Sequence, residues 1–291
     1  MNDQKIALLT DSCADISPKL LKKYDIFMVP LQIKFSDGDY LDGVTINAKE
    51  IYKRLPTEMP KTSLPSGELI EQTFRKILDK GYEKVLCVNL SSGLSGTHNM
   101  VRLLGMEFVG LEVAAFDSVS GSMGQGMVVL QLAKYIEEGR SWSELLRATP
   151  RLIANTNVWF CIDTLEYLQK GGRIGKITAV AGSLLNIKPV LTFAPSGELI
   201  NVSKARGRQL AMGKMASLLQ EKYIEGTPYN LAFANGDCVA EMKAIREKVT
   251  ALMPDARNVF EGEIDCTLAS YVGPHLLGCA IQMLPDNLFD F

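Results

Sequence analysis

The sequence has no C-x-x-C pair, no phosphate loop ending in Gly-Lys-Ser/Thr, no Gly-x-Gly-x-x-Gly fingerprint and only two histidines. The missing glycine-rich motifs remove a nucleotide as the obvious ligand. Cys13, Cys87, Cys161, Cys238, Cys266 and Cys279 are scattered, most among apolar neighbours, and read as free thiols in a reducing compartment. No His/Asp/Glu cluster stands at ligand spacing, so no metal is expected. A net charge of −2 gives no electrostatic case for nucleic acid or an anionic membrane surface. No run approaches the ~18 apolar residues of a spanning helix, so stable membrane insertion is not expected. Met1 to Lys5 lead into only a short apolar run before Asp11, too brief for a signal peptide, and the expected location is cytoplasmic.

What is present is ordinary globular composition, 47% apolar and 22% charged, over 291 residues. That length is large for one core and favours two domains, drawn here at 1–155 and 156–291. The organising stretch is Ser91-Ser92-Gly93-Leu94-Ser95-Gly96-Thr97, which lies between the apolar run Lys84–Leu90 and a helix-like segment. A small-residue loop at a helix start leaves backbone N–H groups open where the helix dipole favours negative charge. Its hydroxyls add adjustable donors. A helix-capping role alone also accounts for such a loop.

The same order recurs. Ile6–Leu9 ends in Thr10-Asp11-Ser12 before a helix at Ser17-Pro18, and Leu111–Phe116 ends in Asp117–Ser122 before a helix from Met123 to Glu137. Three strands that each close in a Ser/Asp/Gly loop predict an open parallel sheet with those loops on its carboxyl edge, where ligands bind. Asp11 and Asp117 are expected to hold loop backbones by accepting N–H bonds. Phe27–Phe35 reads as one strand, and Pro60–Ser66 as a rigid, hydroxyl-bearing loop. Beyond Pro150 the pattern becomes α+β: a strand at Val158–Ile162, a small-residue helix over Gly175–Leu185, and a hairpin from Lys188 to Lys204. Further helices are expected near Gln209–Glu221 and Val239–Leu252, with a strand at Tyr229–Ala234 between them. Tyr271–Gly278 reads as a Gly/Pro-rich turn carrying His275.

These motifs, in order, resemble the DegV family of bacterial fatty-acid-binding proteins across nearly the whole chain. The matching stretches are Thr10-Asp11-Ser12 with Asp15, Pro60–Ser66, Ser91–Thr97, Asp117-Ser118 with Gly124 and Gly126, Leu165–Ile174, Leu184–Pro189, Lys204-Ala205-Arg206 and Gly273-Pro274-His275. The resemblance implies an N-terminal parallel, Rossmann-like α/β domain and a C-terminal α+β domain with a mainly antiparallel sheet. It also implies a long-chain fatty acid held between them, with its carboxylate presented to a separate ATP-dependent fatty acid kinase subunit for acyl-phosphate formation in phospholipid synthesis. On this reading the chain has no catalytic residues and no cofactor. Thr62 and Ser95 match the family's carboxylate ligands; Ser63, Ser92, Gly96, Thr97 and His275 complete the expected ligand set. Arg173 and Arg206 are expected to orient the head group or dock the kinase. The family commonly has an aromatic residue where this chain has His98.

The physical requirements agree: one carboxylate needs a few donors, and the tail needs a long apolar slot. Burying ~14 methylenes at about 0.8 kcal/mol each gives roughly 11 kcal/mol before the costs of association. Two other classes stay open. One is a serine hydrolase using Ser95 with His275 or His98, although Gly93-Leu94-Ser95-Gly96 lacks the Gly-x-Ser-x-Gly elbow. The other is a phosphotransfer protein carrying phosphate on His98.

Overall fold

The short apolar runs that end in Asp or Asn become parallel strands. In the computed structural model, which describes residues 2–177 and 187–290, the chain begins β1 (Ile6–Asp11), α1 (Pro18–Lys23), β2 (Ile26–Val29), β3 (Gln32–Phe35) and β4 (Gly38–Leu41). It continues α2 (Ala48–Arg54), β5 (Lys61–Ser63), α3 (Gly67–Asp79), β6 (Lys84–Asn89), α4 (Thr97–Glu107), β7 (Glu112–Asp117), α5 (Met123–Glu137) and α6 (Trp142–Ala154). The second half runs β8 (Thr156–Cys161), α7 (Glu166–Lys170), β9 (Ile187–Phe193), β10 (Leu199–Arg206), α8 (Arg208–Gln220) and β11 (Tyr229–Asn235). It closes with α9 (Val239–Leu252), β12 (Asn258–Glu263), α10 (Cys266–Val272) and β13 (Leu277–Met283).

Strands β2-β1-β6-β7 form a four-stranded parallel sheet in that order. Alternation sends Ala7, Leu9, Val85 and Cys87 to one face, against Ile70, Phe74 and Ile77 of α3 and Val101 of α4. Ile6, Leu8, Leu86 and Val88 point the other way, onto α5 and α6. Ser17, Asn47, Ser66 and Ser141 each accept an N–H at the start of their helices, which fixes where α1, α2, α3 and α6 begin.

The second sheet has the order β10-β9-β8-β13-β11-β12 and is antiparallel except where β11 pairs with β12. One face carries Trp159, Cys161, Leu231, Phe233, Cys279 and Ile281 against α8 and α9. The other carries Phe160, Leu191, Ala232, Ala234 and Ala280 toward the first half, where they share a core with Ile33, Ile51 and Met127. Helix α5 is buried along almost its whole length because both sheets pack on it. The chain end returns to the first half: Leu284 and Leu288 join the core of α5 and α6, and Phe289 packs edge-on against Tyr135.

Three local expectations change. Phe27–Phe35 is two strands, because Pro30 has no N–H to continue the ladder; β2 stays in the parallel sheet while β3 joins a small antiparallel sheet, β4-β3-β5. Within the Pro60–Ser66 stretch, Lys61–Ser63 pairs as the edge strand of that sheet, with Thr62 opposite Ile33. The turn expected over Tyr271–Gly278 is narrower than that: Tyr271 and Val272 end α10, residues 273–276 make the turn, and Leu277 and Gly278 open β13. All seven residues of β13 are buried, so that strand shows none of the alternation a half-buried strand would. The helix expected over Gly175–Leu185 is not seen at 175–177, and its remainder lies outside the described residues.

Candidate functional site

The carboxyl-edge loops are shaped by buried acids. Asp11 accepts from the N–H of Leu90 (2.7 Å) and of Cys13 (3.1 Å), from Asn89 Nδ2 (3.2 Å) and from Gln125 Nε2 (3.1 Å). Burial pushes its pKa up, and these donors, led by the Leu90 N–H, oppose that. Asp117 accepts from Ser92 N–H with both oxygens (3.2 Å each) and from Val119 N–H (2.8 Å). So held, the serine loop turns back on itself, Leu94 and Ser95 N–H donating to Ser91 O at 3.0 and 3.1 Å. Val119, with φ 50°, and Ser122, with φ 52° and ψ −145°, occupy costly backbone conformations beside the loop.

The serine loop also touches the second half directly. Ser91 Oγ donates to Gly197 O at 2.8 Å, in the turn between β9 and β10. The approach is so close that a Cβ on Gly93 would lie 2.3 Å from the Gly197 carbonyl carbon.

Between the two sheets lies a cavity of about 250 Å³. Its walls are mainly apolar and include Leu31, Leu90, Phe160, Phe193, Ala232 and Ala280. Five residues singled out from the sequence line it: Thr62, Ser63, Ser95, Gly96 and Arg173. Thr62 Oγ1 lies 2.5 Å from the Tyr271 hydroxyl. Arg173 stands over the Tyr271 ring, 5.3 Å from its centroid, and donates from Nε to Leu94 O (3.3 Å) and from Nη1 to Gly171 O (2.9 Å). Ser95 Oγ pairs with Thr97 Oγ1 at 2.8 Å and accepts from Thr97 N–H at 3.3 Å. Thr62, Tyr271, Arg173 and the Leu94-Ser95 backbone therefore form one polar group on an apolar wall. Arg173 forms no ion pair among the described residues, which leaves that wall with positive charge and hydroxyl donors.

Other predicted residues sit elsewhere. Thr97 is buried behind Ser95 and meets the cavity only through it. Ser92 is exposed, its N–H spent on Asp117. His275 is exposed in a left-handed turn (φ 66°), its N–H donating to Gly236 O at 2.5 Å. Arg206 is exposed at the end of edge strand β10, opposite Ile187. His98 is half-buried in the first turn of α4 with an enclosed, unbonded Nδ1; burial lowers its pKa, with nearby Asp117 acting the other way. Nothing in the sequence marks Tyr271, because a lone tyrosine before Gly273-Pro274 has no periodicity that makes it a wall residue.

A second polar cluster joins the halves. Asp42 accepts from the N–H groups of Cys266 (2.9 Å) and Thr267 (3.1 Å), from Thr267 Oγ1 (2.6 Å) and from Ser12 Oγ (3.0 Å). Asp265 caps α10 through Leu268 N–H (2.9 Å), and its own N–H donates to Asp15 (2.8 Å). Cys13, Asp42 and Asp265 bring ligand atoms within 4.8 Å of one another. Asp42 accepts four hydrogen bonds, three of them from α10, and burial pushes the Cys13 thiol well up, so the group tethers α10 to the first half. Burial also pushes Asp15 up to about 8, and burial with the Asp42 and Asp15 charges raises Asp265.

Comparison with known proteins places this architecture. Residues 5–283 match the model described as uncharacterised protein, DegV family. A DegV domain-containing protein of Clostridium acetobutylicum is 34% identical over 278 residues, 96% of this chain and 99% of its own. A DegV family protein of Thermus thermophilus, described as fatty acid binding, superposes with a TM-score of 0.89 at 33% identity, covering 98% of this chain and 100% of that one. DegV of Bacillus subtilis, described as a fatty acid binding protein, superposes with a TM-score of 0.87 at 28% identity, covering 98% and 100%. With its parallel sheet, its largely antiparallel partner sheet and full-length matches of this kind, the chain belongs to the DegV family.

Proposed function

We propose that this chain binds one long-chain fatty acid in the cavity, with the carboxylate held by the Thr62 and Ser95 hydroxyls, and presents it to a separate ATP-dependent fatty acid kinase. The observation that carries the reading is the pairing of an apolar cavity with two hydroxyl-bearing loops and a guanidinium that has no carboxylate partner among the described residues. An amphipathic anion matches both parts: the tail supplies affinity and the donors set orientation. In this reading residues 1–155 supply the head-group loops and residues 156–291 close over the tail. Arg206, outside the cavity and exposed, is free to meet the kinase. Solved relatives described as fatty acid binding support the same assignment.

The chain acts as carrier of the reacting carboxylate and turns nothing over alone. A hydrolase reading has less support, because Ser95 Oγ is bonded to Thr97 and His275 lies off the cavity wall. Phosphotransfer through His98 meets an enclosed Nδ1. Mass spectrometry of an organic extract of the purified protein tests the proposal: about one C14–C18 fatty acid per chain is expected. An extract without stoichiometric fatty acid, together with no uptake of added palmitate or oleate, would overturn it.

A further inference from the structure

We infer that Tyr271 is a positioning residue for the head group: its phenol donates to Thr62 Oγ1 and thereby turns the single Thr62 hydrogen toward the bound carboxylate. This rests on the fatty-acid reading above and adds a residue to it.

The inference follows from hydrogen-bond capacity. A threonine hydroxyl has one hydrogen and two lone pairs, and so does the phenol in its donor and acceptor roles, whereas a carboxylate only accepts. The two hydroxyl oxygens are 2.5 Å apart, so one of them donates to the other. If Thr62 donated to Tyr271, it would face the carboxylate with lone pairs. In the reverse order, Tyr271 to Thr62 to carboxylate, every group is satisfied, and each bond in such a chain polarises the next.

Tyr271 is held for that task on three sides. Gly171 admits the ring: a Cβ there would lie 2.3 Å from Tyr271 Cδ1 and Cε1. The Arg173 guanidinium covers the ring at 5.3 Å from its centroid, a distance at which a cation is attracted to the ring face. Tyr271 also lies in the last turn of α10, whose first N–H groups are fastened by Asp42 and Asp265. Arg173 in addition donates to Leu94 O, next to Ser95, so one guanidinium links the serine loop to the ring that bonds Thr62. The donor chain is therefore preorganised before ligand arrives.

The test compares a ligand with the carboxylate to one without it. Palmitate and hexadecanol affinities are measured for the full chain, Tyr271→Phe, Thr62→Val and the double variant. Tyr271→Phe keeps the ring and is expected to weaken palmitate about 5–10-fold, the scale of one neutral hydrogen bond. Hexadecanol should change less than about twofold, and the double variant should bind palmitate no worse than Thr62→Val, as expected of residues acting in series. Equal loss of both ligands would make Tyr271 a packing residue only, and additive losses or an unchanged palmitate affinity would overturn the inference as well. Wild-type protein that takes no palmitate would sink the fatty-acid reading itself, a result distinguishable from all of these. Gly171→Ala gives a second measure: by displacing the ring it should produce the same selective loss of palmitate, and an unchanged palmitate-to-hexadecanol ratio would count against the role.

Discussion

Ser91 Oγ donates to the carbonyl of Gly197 at 2.8 Å, a contact between residues 106 apart that seats the serine loop of the parallel sheet on the β9–β10 turn of the second sheet. The loop that faces the cavity is thus shaped from both halves of the chain. Ser91→Ala leaves a buried acceptor without its donor and is expected to cost about 1–3 kcal/mol in denaturant unfolding. Gly93→Ala should cost more than Ser91→Ala, since its Cβ meets backbone rather than a yielding side chain. A Gly93→Ala protein of wild-type stability would contradict the contact.

Removing either head-group hydroxyl should weaken fatty-acid binding while the fold persists. For Thr62→Ala and Ser95→Ala the expected loss is about 1.5–3 kcal/mol, the range for hydrogen bonds to a charged group. Titration calorimetry with palmitate checks this, with a thermal melt as the folding control. Wild-type affinity in both variants would move the carboxylate away from these loops.

Arg206 is exposed on an edge strand and off the cavity wall. Arg206→Ala is expected to retain bound fatty acid yet serve poorly in kinase-coupled turnover, because a rim charge steers and orients a partner without touching the tail. Loss of lipid as severe as in Ser95→Ala would instead place Arg206 in the head-group shell.

The tail side is testable through Ala280, which lies beside Ala232 across β13 and β11 on the cavity face. Ala280→Leu projects a larger side chain into the space and should shift the extracted lipid toward shorter acyl chains. An unchanged acyl profile would mean that the tail runs elsewhere.

Stability should fall as the solution becomes alkaline. In the native state burial holds the Asp15 proton up to about 8, against an unfolded carboxyl near 4. Between those values the native chain binds the extra proton, so the contribution is full below the unfolded pKa and is lost as pH rises through the native one. Raised pKa values at Asp11 and Asp265 act in the same direction. Melting temperature is expected to drop between pH 5.5 and 8.5, and Asp15→Asn, which keeps an acceptor oxygen, should flatten the slope. A wild-type profile that is level over this span would be the contrary result.

Much of this protein was legible in one dimension because the responsible interactions are local. Runs such as Ile6–Asp11 and Lys84–Asn89, closed by polar loops, determine parallel strands, and Ser17 marks a helix start through a bond three residues away. Thr62, Ser95 and Arg173 could be singled out because the stretches that carry them match motifs of the DegV family. What needed the tertiary structure were relations without a local signal. Strand β13 shows no alternation because both of its faces are buried, and the split at Pro30 assigned β2 and β3 to different sheets. Tyr271 reaches Thr62 across 209 residues, and Asp42 fastens α10 across 224. Such contacts exist only once two sheets share α5 and α10 is seated between them, so no spacing along the chain could record them.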